Sequence, residues 1–160
     1  MAFRRTPSAA SQTESAVIAM TVPELWGVVR RINKVLLGRV TEAKWVYPAS
    51  RIAETADEVG LSPRIGSMMD VRYDDGSEWR IRVTAVVEER LIAYEVISAH
   101  PEIECDAIAM RFELTPVTET GHALLSIRTE YTNQVDVARI EDAKYKKREF
   151  FRDLRRTGVE

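Results

Sequence analysis

Apolar and polar residues alternate with a period of two along much of this chain, and the clearest run covers residues 65–98. Ser67, Met69, Val71 and Tyr73 alternate with Met68, Asp70 and Arg72; beyond Asp74-Asp75-Gly76-Ser77, Trp79, Ile81 and Val83 alternate with Glu78, Arg80, Arg82 and Thr84. Such alternation predicts a sheet with one dry face and one wet face, and Asp-Gly between the two runs predicts a tight hairpin. A further strand is expected at 91–98, with Ile92, Tyr94 and Val96 on one side, ended by His100-Pro101. Residues 105–114 set Ile108, Met110, Phe112 and Leu114 against Arg111 and Glu113. Residues 123–132 set Leu125, Ile127, Thr129 and Tyr131 against Ser126, Arg128 and Glu130. Residues 16–20 read as a first strand, and residues 45–55 as another that Pro48 confines to an edge or a bulge.

The period changes to that of a helix in two places. Thr21-Val22-Pro23-Glu24 predicts a helix start, with Thr21 and Glu24 spaced as a capping box and proline tolerated in the first turn. Leu25, Trp26, Val28, Val29 and Ile32 continue it, and a second apolar patch at Val35, Leu36 and Leu37 before Gly38 predicts a pair of short helices bent near Asn33. From Asp136, a candidate N-cap, Val137, Ile140, Ala143, Phe150, Phe151 and Leu154 outline an amphipathic helix of about five turns. Its middle is weakly apolar, so Lys144 or Lys147 must lay an aliphatic stem across the core. One-faced strands and a one-striped helix solve each other's burial problem when a bent antiparallel sheet grips the helix. The expected fold is therefore α+β: six or seven curved antiparallel strands around a long C-terminal helix, with residues 1–14 a disordered tail and 15–160 one domain.

Composition narrows the function. The 160 residues carry a net charge of −2 with 45% hydrophobic and 30% charged side chains, which is ordinary for a soluble protein and gives no electrostatic case for nucleic acid. No apolar run approaches the roughly 20 residues of a membrane span. The single cysteine, Cys105, cannot form an internal disulfide and reads as an inert thiol. The arginine-containing start is too short and too weakly patterned for a targeting peptide, so a cytoplasmic location is expected. No metal-ligand spacing, phosphate loop or Ser-His-Asp order is present, and no cofactor is expected.

Several stretches, in order, resemble the START and birch-pollen-allergen superfamily (SRPBCC), especially its polyketide cyclase/dehydrase-like branch. They are Thr21-Val22-Pro23-Glu24-Leu25-Trp26 at the first helix, Ile65-Gly66-Ser67-Met68-Met69 at a glycine-led strand, and Asp75-Gly76-Ser77-Glu78-Trp79 at the next hairpin. Leu91-Ile92-Ala93-Tyr94-Glu95-Val96 and Phe112-Glu113-Leu114-Thr115-Pro116-Val117 follow. The resemblance spans residues 15–154 and implies a helix-grip fold with a hydrophobic cavity between sheet and C-terminal helix. Superfamily members bind lipids, sterols, polyketides or plant hormones, and some catalyse cyclisation or hydrolysis; the fold by itself does not choose between these.

The inward sets supply the candidate lining: Met69, Tyr73, Trp79, Tyr94, Met110, Phe112, Tyr131 and Phe151, with Trp45 and Tyr47 at the mouth. Aromatic stripes on strands commonly just fill a core. Lining a chamber is the functional alternative, with the hydroxyls of Tyr73, Tyr94 and Tyr131 as polar anchors for an amphipathic ligand. Proton-transfer candidates are few: Tyr94, Tyr131 and Glu54, whereas Asp70 and Glu95 fall on the wet side by alternation and His100 and His122 flank turns. The C-terminal helix is rich in Lys144, Lys146, Lys147, Arg148, Arg152, Arg155 and Arg156. These complement its dipole, the alternative being contact with an anionic membrane or an acidic partner. Three functions follow: a carrier or sensor of a small hydrophobic molecule, a cyclase, dehydratase or hydrolase working on a polyketide-like substrate, or a scaffold whose helix binds a protein.

Overall fold

The Asp75-Gly76 turn forms where the alternation places it, between β3 (Met68–Tyr73) and β4 (Glu78–Val87). In this computed structural model, which describes residues 10–31, 36, 39–47, 63–100, 107–117, 119–131 and 137–159, Gly76 has φ 87°. That left-handed backbone suits glycine best. Asp75 Oδ1 accepts from Ser77 N–H at 2.8 Å and from the Ser77 hydroxyl at 2.6 Å, so the side chain holds the turn as firmly as the backbone does.

The remaining strands are β1 (Ala10–Ile18), β2 (Val40–Tyr47), β5 (Leu91–His100), β6 (Ala107–Pro116) and β7 (Ala123–Tyr131). All seven join one antiparallel sheet in the order β1-β7-β6-β5-β4-β3-β2. Two strands start earlier than alternation suggests. β1 begins at Ala10 and not at 16, taking in residues expected to belong to the tail, and β2 begins at Val40 and not at 45. Residues 48–55, with Pro48, lie outside the described residues, as does Asp136.

Two helices are described. The first, α1 (Val22–Val29), starts with the capping box: the Thr21 hydroxyl accepts from the Glu24 N–H and the Glu24 carboxylate accepts from the Thr21 N–H, both at 3.4 Å. Leu25, Trp26 and Val29 are buried, each stabilising by about 2 kcal/mol on transfer grounds. The expected second short helix, with its bend near Asn33 and its patch at Val35, Leu36 and Leu37, falls on residues of which only Leu36, which is buried, is described. The second described helix, α2 (Val137–Val159), is 23 residues long, more than the five turns its apolar stripe suggests.

The sheet curls around α2, and the helix contacts show by how much. Lys147 and Arg148 reach Gln12 and Glu14 on β1, while Lys146, one residue away, acts electrostatically on Asp75 at the β3–β4 turn. β1 and β4 are four strand spacings apart in sheet order, about 19 Å in a flat sheet. A helix is only about 10–12 Å across with its side chains. A helix charge felt at the β3–β4 turn, beside residues bonded to β1, fits a sheet that wraps the helix.

The inner face carries the core: Met69, Val71, Ile81, Val83, Ile92, Phe112, Leu114, Leu125 and Ile127 are all buried. The outer face carries charges that pair across strands, Asp70 with Arg80 at 2.7 Å, Glu78 with Arg72 at 2.6 Å and Glu95 with Arg82. These pairs favour the observed register and keep the outer face wet. No helix among the described residues is long and apolar enough to cross a membrane.

Candidate functional site

Antiparallel order gives the inner face two distinct ends. One holds the β3–β4 turn, the start of β6, the end of β7 and the start of α2. The other holds α1 and the β4–β5 hairpin, tied together where Trp26 Nε1 donates to Glu88 Oε2 at 2.7 Å.

Burial is graded between these ends. Toward α1 the lining is aliphatic and closed, with Ile18, Leu25, Val29, Ile92, Phe112 and Ile127 all at 0% exposure. Toward the β3–β4 turn it becomes aromatic and partly open. Tyr73 and Trp79 lie edge to face with ring centres 5.2 Å apart, on the same side of the sheet as buried Val71, yet both are only half-buried. Helix α2 covers the middle: Phe150 meets Phe112 edge-on at 6.3 Å, and Tyr94 stacks beside Phe112 at 6.3 Å.

Each residue singled out in the sequence can now be placed. Met69, Tyr73, Trp79, Tyr94, Met110, Phe112 and Tyr131 all stand on the inner face, as their alternation requires. Trp45 is buried and pairs with Met69 across β2 and β3, on the inner face. Phe151 is buried, but the helix residue that touches the sheet aromatics is Phe150, with Phe151 6.4 Å behind it. Glu54, Cys105 and the side chain of Tyr47 lie outside the described residues.

Electrostatics separates hydrogen-bonding groups from acids and bases. Burial pushes the Tyr94 phenol well above its ordinary value, and neighbouring Tyr73 adds to the effect. Burial also raises Tyr131; the nearby Thr129 hydroxyl counteracts it and Asp142 of α2 reinforces it. Phenols held neutral this firmly serve as hydrogen-bonding groups at neutral pH. The two strand carboxylates are turned away: Asp70 is lowered by its hydrogen bonds to Arg80, and Glu95, although buried, pairs with Arg82 on the outer side. A shallow depression of about 190 Å³ on that outer face, lined by Glu42, Lys44, Asp70, Val71, Arg72 and Glu78, is crossed by these ion pairs.

One buried polar pair had a sequence signal on one side only. Lys147 has no exposed surface, and its Nζ donates to the Gln12 carbonyl at 2.8 Å and to Gln12 Oε1 at 2.5 Å. Burial lowers its pKa to about 8, with Glu14 pulling the other way. The weak apolar middle of the helix pointed to Lys144 or Lys147 without choosing between them; nothing local pointed to Gln12. On the exposed helix surface Lys144 pairs with Glu141 at 3.4 Å, Lys146 with Asp142 at 3.0 Å and Arg148 with Glu14 at 3.4 Å.

No family model and no curated protein matches the chain. Solved structures do. XoxI from Bacillus cereus superposes with a TM-score of 0.68 at 14% identity, over 94% of this chain and 96% of its own. Ara h 8.0201 gives 0.63 at 12% identity, over 94% and 97%. DynU16, a protein of the dynemicin biosynthetic locus, gives 0.61 at 16% identity, over 91% of this chain but 46% of its own. The fold is a helix grip. The helix-grip likeness agrees with the superfamily resemblance in the motifs, and at these identities it speaks for architecture alone.

Proposed function

We propose that this helix-grip protein binds a small hydrophobic molecule between the inner face of the sheet and α2. The observation that carries the reading is the half-burial of the Tyr73–Trp79 pair. Two aromatic rings on the dry face, beside strand neighbours that are sealed, leave apolar surface within the grip that the protein does not cover. A concave apolar wall with a few fixed polar groups is the usual make-up of a small-molecule site. Tyr94, Met110, Phe112, Tyr131 and Phe150 continue the wall inward, and Met69 and Trp45 back it.

Binding without chemistry is the better-supported version. The phenols of Tyr94 and Tyr131 are pushed up and hold their protons, and the carboxylates of Asp70 and Glu95 are committed to arginines on the other face. The likeness to DynU16 raises a cyclase-type activity as an outcome to be checked. Native mass spectrometry after gentle purification, with displacement of a fluorescent lipid, is the test. A co-purifying hydrophobic adduct or saturable displacement is expected. A protein that carries no adduct and displaces none of a chemically varied panel refutes the reading. Turnover abolished by Tyr94→Phe with the fold intact would move the function to catalysis.

A further inference from the structure

The protein leaves polar atoms unsatisfied at one end of the proposed chamber. Trp79 Nε1 and the Tyr131 hydroxyl are buried with no hydrogen-bond partner among the described residues, and Tyr131 as a whole is 3% exposed. Buried polar groups are overwhelmingly paired in native proteins, so two orphans on one face ask for a common explanation. They also share a location. Trp79 is the second residue of β4 and Tyr131 the last of β7, and antiparallel order brings both to the β3–β4 end. The Thr129 hydroxyl gives its proton to Met110 Sδ at 3.0 Å and is not bonded to the Tyr131 phenol.

The chemistry of the missing partner follows from the orphans and their surroundings. An indole N–H can only donate, so what Trp79 lacks is an acceptor; a phenol can donate to an acceptor too. Charge decides which acceptor. Asp142, near enough to act on Tyr131, is itself paired with Lys146 at 3.0 Å, so this pair offers no spare cation to hold an anion. Three lysines of the adjoining helix are engaged, Lys146 with Asp142, Lys144 with Glu141 and Lys147 with Gln12.

We propose that the ligand is a neutral oxygenated hydrophobe of the ketone, ester or quinone class, its acceptor oxygens at the β3–β4 end against Trp79 Nε1 and the Tyr131 hydroxyl. Its apolar body points toward the aliphatic end closed by α1. This assignment rests on the ligand-binding reading above and adds class and orientation to it.

Three probes of matched shape test it by calorimetry on the full chain: 2-acetylnaphthalene, 2-ethylnaphthalene and 2-naphthoate. The ketone should bind about tenfold more tightly than the hydrocarbon, the worth of one buried hydrogen bond, with the carboxylate weakest. One ketone oxygen can accept from one orphan, so Tyr131→Phe or Trp79→Phe should shrink the ratio of ketone to hydrocarbon affinity, measured within the same variant, severalfold. Without ligand, Tyr131→Phe should melt no lower than wild type, because it deletes an unsatisfied hydroxyl. Equal binding of ketone and hydrocarbon, a preference that survives both substitutions, tightest binding of the carboxylate, or a lower melting temperature for Tyr131→Phe each overturns the assignment. Hydrocarbon binding without ketone preference leaves the ligand-binding reading standing. Failure of all three probes, along with the lipid panel, removes both.

Discussion

Replacing Lys147 with methionine separates the cost of a buried charge from the value of its hydrogen bonds. The amine is fully buried and its pKa falls from 10.5 to about 8, so the folded state binds this proton more weakly than the unfolded chain does. The sign is therefore fixed. Below about pH 8 both states carry the proton and this group adds no slope. Between pH 8 and 10.5 the unfolded state holds more protons, and stability rises with pH. Integrating that difference gives a gain of up to about 2.5 kcal/mol between pH 7 and pH 10. Methionine keeps the aliphatic stem and removes the proton, but it leaves Gln12 Oε1 and the Gln12 carbonyl without their donor, costing about 1–3 kcal/mol. At pH 7 the two effects nearly cancel; at pH 10 only the loss remains. Urea denaturation of both proteins at pH 7, 8, 9 and 10 should show methionine close to neutral at pH 7 and progressively more destabilising above pH 8. Taking the difference between wild type and variant removes the titration of the other tyrosines and lysines. A difference that stays constant across this range would refute the buried-amine argument.

Three other outcomes follow from the contacts. Thr21→Ala removes the acceptor of the capping box and should cost about 1 kcal/mol in thermal or urea unfolding, with Thr21→Ser restoring most of it. Phe112→Ala empties the position where Tyr94 and Phe150 meet and should cost about 3–5 kcal/mol, read as a lower urea midpoint; a loss under 1 kcal/mol would mean that α2 does not seat there. Lys146→Ala with Arg152→Ala should leave sedimentation with anionic vesicles unchanged, since Lys146 already pairs with Asp142 and the helix cations act chiefly within the protein; a marked loss of vesicle binding would establish a membrane-docking face.

The parts of the fold written in local chemistry were legible from sequence. The β3–β4 hairpin announced itself by an Asp-Gly turn between alternating runs, and α1 by a capping box that the structure reproduces atom by atom. What escaped was written in contacts between distant residues. The first half of β1 looked like tail because Ser11, Gln12, Thr13 and Glu14 carry no apolar alternation. Their inner positions are polar because Lys147 and Arg148 come down on them from α2. The weak middle of α2 and the polar start of β1 are two halves of one feature, and each looks anomalous alone. Likewise β2 begins in a polar stretch because Glu42 lies beside Arg72, and Lys44 opposite Asp70, on the wet side of an edge strand. The face on which each candidate residue stands was readable by parity, because alternation fixes it. Alternation cannot say how far a curved sheet closes on its helix, so neither the exposed edge of the Tyr73–Trp79 pair nor the choice of Phe150 over Phe151 was available. The unsatisfied state of Trp79 and Tyr131 is a property of their surroundings and has no local signature.

The seam between Gln12 and Lys147 also bears on how the molecule comes to be folded. It joins residues 135 apart, and among the described strands β1 pairs with β7 alone, more than a hundred residues later. Pairings of such long separation are slow to form, because the loop between them must close before they repay it. While the chain is still emerging from the ribosome, strands β2 to β6 can zip in order, but beyond the end that α1 covers their dry face has nothing to rest on until α2 arrives. For that interval the nascent protein presents the very surface proposed above as the ligand's wall. A hydrophobic molecule of the right shape, present during synthesis, would then act as a folding template as well as a cargo.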